Sequence, residues 1–183
     1  YKTQRKGAII AIIFFILVFV LSDQVSSSIF KPMFERFRPT HHPDFKDLVD
    51  IINNYRGGQF GFISSHATNS FGLAVYLTLI FKNRLVTIST LFWASINSYT
   101  RIYLGVHFIS DILAGAVVGS LIALILYSVY TLIFNHISRT DINYQVGSSL
   151  IYNHKHAKYL SVFIIIYTAI LMIFSPFLAT LPH

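Results

Sequence analysis

Residues 100–111 read Thr100-Arg101-Ile102-Tyr103-Leu104-Gly105-Val106-His107-Phe108-Ile109-Ser110-Asp111, with a long apolar segment on either side. A permanent cation, an imidazole and a carboxylate therefore lie beside a membrane, where ionisable groups are costly and usually functional. His107 and Asp111 are four residues apart, so on a helix they share one face, one turn apart. The carboxylate then takes a proton from one ring nitrogen and leaves the other as a nucleophile or base. Gly105 permits a tight turn between Arg101 and the helix that follows. A plainer reading of the same stretch is a juxtamembrane loop whose His–Asp pair caps a helix.

Of the 183 residues, 54% are hydrophobic and 11% charged. That charged share is less than half of the roughly 25% usual in soluble proteins. One membrane domain over residues 1–183 is the natural count. There is no cysteine, so disulfides and thiolate metal sites are excluded. The formal charge of +7 does not indicate nucleic acid, because the basic residues are scattered between apolar spans.

The apolar runs predict an all-α, polytopic membrane helix bundle with five spans. The first runs from Gly7 to about Phe30, with Asp23 and Gln24 near its far end facing the protein interior. The others are His66 to Phe81, Leu85 to Thr100, Ile112 to Phe134, and Tyr159 to Thr180. The second is short, as suits a helix whose outer end starts below the headgroups. Gly115 and Gly119 mark the fourth for close helix packing. Residues 31–65 form a polar outer loop, broken by prolines 32, 39 and 43 and by Gly57-Gly58. Within it, Phe45 to Tyr55 is expected to form a short amphipathic surface helix. A second polar connection covers 135–158. With the N-terminus in the cytoplasm, the inner side holds Lys2, Arg5, Lys6, Lys82, Arg84, Arg139, Lys155 and Lys158, and of the acids Asp141. The positive-inside rule favours that orientation.

The outer cations need a separate reason. Lys31 and Arg38 follow the first span, Ser64, Ser65 and His66 open the second, Arg101 closes the third, and His107 opens the fourth. Two helix N-termini thus point free N–H groups and positive dipole ends at one place. Three cations, two N-termini and a serine hydroxyl describe an oxyanion site, and phosphate fits it. Singly, Lys31 and Arg38 read as snorkelling anchors and Ser64 as an N-cap; together, on one side, they read as a site. His41, His42 and His183 show no partner pattern, and His154 and His156 face the cytoplasm.

The pattern Lys31-x6-Arg38-Pro39, Ile63-Ser64-Ser65-His66, and Thr100-Arg101-x5-His107-x3-Asp111 resembles the three-part signature of the type 2 phosphatidic acid phosphatase superfamily: K-x6-R-P, P-S-G-H and S-R-x5-H-x3-D. The family's membrane branch has a six-helix core, so the resemblance implies a first helix missing before Tyr1. Ile63, Ser65 and Thr100 depart from the pattern, and none of these removes a charged or imidazole group. For bacterial members it also implies a covalent tie between positions near Thr40 and Tyr55, which a chain without cysteine lacks.

What the resemblance implies chemically agrees with the residues. His107, oriented by Asp111, attacks phosphorus to form a phosphohistidine. His66 protonates the leaving oxygen and later activates water. Lys31, Arg38, Arg101, Ser64 and the Ser65 amide hold the nonbridging oxygens. No metal or other cofactor is called for. The expected partners are the bilayer and a lipid phosphate, with undecaprenyl diphosphate or a lipid A phosphate foremost, and no nucleic acid. The resemblance points to a bacterial inner-membrane enzyme whose site faces the periplasm. A lipid phosphotransferase would share every site residue. A non-enzymatic anion binder or transporter would not need the second histidine or the His107–Asp111 pair. A soluble vanadate haloperoxidase is disfavoured by the five spans.

Overall fold

The computed structural model describes residues 2–44, 46–52, 55–139 and 154–178, and over these residues it is helical, with no β-strand. Helix α1 (Lys2–Gln24) continues through a π-helical segment (Val25–Phe30) into a last α turn, α2 (Lys31–Phe34). Helices α3 (Ser65–Phe81), α4 (Arg84–Tyr103), α5 (Ile109–Arg139) and α6 (His154–Leu178) follow. All five expected helical segments are present. Among the described residues, three stretches are long and apolar enough to cross a membrane: Arg5–Phe34, Ile109–Arg139 and Lys155–Ile173.

Helix α3 is the middle of the bundle. It packs on α5, α4 and α1, while α1 also packs on α5, and α6 lies against α4. Its central place explains why α3 is short and rich in small or polar residues: neighbouring helices, rather than lipid, cover Ala67, Thr68, Ser70, Gly72 and Ala74. Most of the large apolar side chains of the bundle point the other way. Ile12, Ile16, Phe92, Leu113, Val117, Ile125 and Phe163 are exposed, as expected where the solvent is lipid and close helix contact is made by small residues. Some of the hydroxyls inside the bundle donate to carbonyls of their own helices. Thr68 Oγ1 donates to the Ser64 carbonyl at 2.8 Å and Thr90 Oγ1 to that of Val86 at 2.7 Å. Away from the outer loop, Ala11, Phe14, Val18, Tyr76, Ala123 and Tyr130 form an apolar core, and the Tyr76 hydroxyl donates to the Ala11 carbonyl at 3.0 Å.

The structure corrects three boundaries. Pro43, Asp44 and residues 46–48 form turns where the apolar grouping predicts a helix over Phe45–Tyr55; Phe45, Asn53 and Asn54 lie outside the described residues. Pro43 and alternating charges leave too few apolar contacts to offset the cost of helix nucleation in so short a segment. Helix α5 extends to Arg139 and α6 begins at His154, so the polar connection is shorter than 135–158. Its middle, 140–153, lies outside the described residues, as do the last two positions of the expected fifth span and His183. Finally, the first rod does not stop at Phe30. The hydroxyls of Ser26 and Ser27 donate to the Asp23 carbonyl at 2.9 and 2.6 Å, competing with backbone donors. The ladder then shifts to an i→i−5 bond from Lys31 N–H to Ser26 O, and the wider turn re-phases the helix before Lys31.

The tightest approach is between α3 and α5. A Cβ on Gly119 would run into the Thr68 backbone, and one on Gly115 would stand 2.8 Å from the Ser64 carbonyl oxygen. Gly119→Val is therefore expected to destabilise the bundle by about 1–3 kcal/mol through overpacking. Val117→Ala, on the exposed face, is expected to stay within about 0.5 kcal/mol. Unfolding of both variants in detergent, compared with the parent, checks the difference.

Candidate functional site

Helix α4 ends because Gly105 adopts a left-handed conformation, φ +66°, and there a Cβ would stand 2.7 Å from Val49 Cγ1. The chain reverses, and α5 starts at Ile109, three residues earlier than the apolar run suggests. His107 consequently precedes the helix instead of opening it, and the contact with Asp111 is made from a turn. The Asp111 carboxylate reaches back to the start of its own helix. Its Oδ2 accepts from the Phe108 backbone N–H at 3.0 Å and lies 3.3 Å from His107 Nδ1. This is the reciprocal half of a capping box, so the plain capping role and the His–Asp pairing coexist in one carboxylate. Asp111 is fully buried and His107 nearly so.

The other predicted residues converge here. Lys31, on the last turn of the first rod, donates from Nζ to Ser65 Oγ at 2.7 Å. Arg38 is held by the Phe60 carbonyl at 3.2 Å and the Val106 carbonyl at 3.5 Å. Arg101 Nε donates to Thr100 Oγ1 at 3.1 Å, and that hydroxyl donates to the Asn97 carbonyl at 2.6 Å. Thr100 thus steadies Arg101 with the hydroxyl it retains. Ser64 is the N-cap of α3, its Oγ accepting from the Ala67 N–H at 3.4 Å. That use of a lone pair leaves its O–H able to donate. The Ser64 N–H donates to the Asp111 carbonyl oxygen at 3.1 Å, which ties the N-terminus of α3 to that of α5. His66, in the first turn of α3, lies within electrostatic reach of Arg101, His107, Arg38 and Lys31.

Burial lowers the His107 pKa below the usual imidazole value, and the nearby charges of Arg38 and Lys31 push the same way. The hydrogen bond and charge of Asp111 oppose this. The ring is therefore neutral at pH 7, with Nδ1 facing a carboxylate that accepts its proton and Nε2 carrying the lone pair.

Two residues near the site lie outside the sequence-derived set. Arg36 Nη1 donates to Asp111 Oδ1 at 2.9 Å and to Ser110 Oγ at 2.7 Å. Tyr55 lies within electrostatic reach of Arg101. Arg36 falls inside the six unspecified positions between Lys31 and Arg38, where spacing carries no information. A signal was nonetheless present, since a buried carboxylate beside an apolar run calls for a compensating cation. The loop carrying Arg36 folds over the site through an isolated Phe37–Phe60 bridge. At Gly61 it comes so near that a Cβ would stand 3.3 Å from Asp111 Oδ2 and 3.5 Å from His107 Nδ1. Further along, Thr40 Oγ1 donates to the Arg56 carbonyl at 2.8 Å and Arg56 Nη1 to the Thr40 carbonyl at 3.1 Å. Paired hydrogen bonds thus link the region where the resemblance implies a covalent tie. Of the unassigned histidines, His41 Nδ1 lies 3.2 Å from Thr40 Oγ1 and His42 Nδ1 lies 3.8 Å from Asp44. Among the described residues no group of three or more His, Cys, Asp or Glu side chains is arranged to hold a metal ion.

Comparison with known proteins places the chain among its relatives. The chain is 45% identical over 130 residues to a lipid A 4'-phosphatase of Porphyromonas gingivalis, covering 71% of this chain and 55% of the relative. It is 44% identical over 115 residues to a lipid A 4'-phosphatase of Bacteroides thetaiotaomicron, covering 62% of this chain and 51% of the relative. The chain therefore spans about half the length of these curated relatives. No solved structure matches it significantly. The family model of the PAP2 superfamily matches residues 8–135, a stretch that contains all three signature segments, and the chain belongs to that superfamily.

Proposed function

We propose that this site hydrolyses a phosphate monoester carried by a membrane lipid, and that the lipid is of the lipid A class, attacked at its 4'-phosphate. The observation that carries the reading is the buried His107–Asp111 pair, 3.3 Å apart, beside Lys31, Arg38 and Arg101. The names of the two relatives support lipid A over undecaprenyl diphosphate. The scatter of cations between apolar helices supports a substrate that enters from the bilayer, and residues 1–183 are taken to act as one membrane phosphatase unit. The positive-inside asymmetry supports a cytoplasmic N-terminus and a site on the periplasmic side of the inner membrane.

In this mechanism His107 Nε2 attacks phosphorus in line with the lipid oxygen, and the P–O bond breaks as the P–N bond forms. His66 gives its proton to the departing oxygen, then takes one from the water that hydrolyses the phosphohistidine. Inorganic phosphate leaves and both imidazoles are restored. Lys31, Arg38 and Arg101 offset the charge on the nonbridging oxygens, with the Ser64 hydroxyl and the Ser65 N–H completing the cradle. These cations supply the positive charge that a metal ion would otherwise bring, so turnover is expected to persist in chelator.

The test is phosphate release in detergent with chelator present, from lipid A, undecaprenyl diphosphate, phosphatidylglycerol phosphate and phosphatidic acid. Release from lipid A is expected, abolished in His107→Ala and reduced about 10²–10⁴-fold in His66→Ala. Folded protein that releases phosphate from none of these lipids, or a His107→Ala variant that keeps full activity, would sink the proposal. Transfer of the phosphate to an added lipid without its release would identify a phosphotransferase instead.

A pH profile tests the state of His107 separately. The attacking ring must be neutral, and its pKa lies below the ordinary value of about 6.5. The acid limb of kcat/KM is therefore expected below that pH, with the rate lost only as His107 protonates. An acid limb above pH 7 would contradict a neutral, buried nucleophile.

A further inference from the structure

Resting on the phosphatase reading of the site, we propose that Arg36 is a positioning residue: it holds the Asp111 carboxylate so that Asp111 presents His107 with Nδ1 engaged and Nε2 free to attack. The two carboxylate oxygens have separate partners. Oδ1 accepts from Arg36 at 2.9 Å, while Oδ2 serves the Phe108 N–H at 3.0 Å and His107 Nδ1 at 3.3 Å. With one oxygen fixed by a charge-assisted bond, the other cannot swing away from the imidazole.

Arg36 is itself held on several sides. Its guanidinium lies 4.4 Å from the centre of the Phe108 ring and 6.0 Å from that of Phe62, a cation–π setting that suits a planar cation. Its second hydrogen bond, to Ser110 Oγ at 2.7 Å, grips the first turn of α5. Its backbone carbonyl accepts from the Gly61 N–H at 2.8 Å. The residue therefore spans from the loop that delivers Arg38 to the helix that delivers Asp111.

Arg38 makes this link necessary. It also feels the Asp111 charge, and a carboxylate without Arg36 would turn toward it. That movement would take a cation from the phosphate and an orienting group from His107 together. Arg36 satisfies Asp111 through Oδ1, and Arg38, which bonds the Phe60 and Val106 carbonyls instead, is left to the substrate.

The charges around His107 come from every neighbouring element. Asp111 faces it from α5, Lys31 from the first rod, Arg38 from the loop and His66 from the start of α3, and Arg101 closes α4 nearby. Among these Asp111 is the acid, and Arg36 is paired directly to it. Removing Arg36 leaves the carboxylate uncompensated beside His107, so the imidazole holds a proton more tightly. The acid limb of activity then moves to higher pH.

Arg36→Gln and Arg36→Ala are expected to lower kcat on the order of tenfold to a hundredfold, the scale seen when the group that orients a metal-ligating histidine is removed. KM is expected to change little, because Lys31, Arg38 and Arg101 remain. The acid limb should rise in both variants and return toward the parent value in Arg36→Lys, which restores charge but not the planar fork. A purely structural role would scale activity down without moving the limb. The same quantity is readable without turnover, from the ¹⁵N-histidine spectrum of the detergent-solubilised protein, with His107 assigned through His107→Asn. An upward shift of the His107 titration in Arg36→Gln, reversed in Arg36→Lys, is the expected result. An unmoved titration and tautomer would overturn the role of Arg36 even if the parent released no phosphate. Failure of the parent to release phosphate would instead count against the phosphatase reading.

Discussion

The buried Asp111 carboxylate is the group on which the outer half of the molecule depends. A carboxylate with no contact with solvent is very costly unless its charge is paired and its lone pairs are occupied. Here the pairing comes from Arg36 on the polar loop and the remaining acceptor capacity goes to Phe108 N–H and His107. The backbone of the same residue accepts from Ser64 at the head of α3. One residue thereby connects the first rod, through its loop, to the two helix N-termini at the site. The positions of His107 and of the Ser64 backbone follow from the contacts it makes.

The bundle beneath supplies a rigid platform by different physics. Its interior is rich in alanine, glycine, serine and threonine around a small apolar core that includes Phe14, Tyr76 and Tyr130, and most of its large apolar side chains face outward. Lipid offers no hydrophobic reward for burying leucine, so packing distance decides the association of the helices, and small residues permit the closest approach. Several hydroxyls, among them those of Thr90, Ser120 and Ser161, donate to carbonyls of their own helices, while the backbone stays satisfied by the helical ladder. The α3–α5 contact at Gly115 and Gly119 sets the spacing of the two N-termini that meet above it.

Much of this was legible in the chain itself, and the exceptions have definite causes. The Lys31, Arg38, Arg101, His66, His107 and Asp111 set is readable because ionisable groups beside apolar runs are rare enough to be counted. The helices are readable because continuous apolarity leaves few alternatives. Arg36 was not readable as a partner of Asp111, because 75 residues separate them and no local spacing rule relates a loop to a distant helix. The surface helix expected at Phe45–Tyr55 fails for the opposite reason. Its local pattern is suggestive, but residues 46–48 form turns there, and the segment is held by contacts such as Val49 against Gly105. The π segment likewise turns on serine hydroxyls competing for one carbonyl, which periodicity does not register.

The sequence by itself determined the helical class and the chemical inventory: long apolar runs predict membrane-spanning, internally hydrogen-bonded helices, and the signature residues are few and charged. It also determined the family, because three motifs in one order are a matter of identity and spacing alone. Tertiary structure decided which cation pairs with Asp111, that Lys31 meets Ser65, that His107 stands in a turn ahead of its helix, and that Thr40 and Arg56 secure the loop without a disulfide. The reason is one of range. Periodicity and composition act over a few residues, whereas charge compensation in a low-dielectric interior is settled by whichever partner the fold brings within about 3 Å.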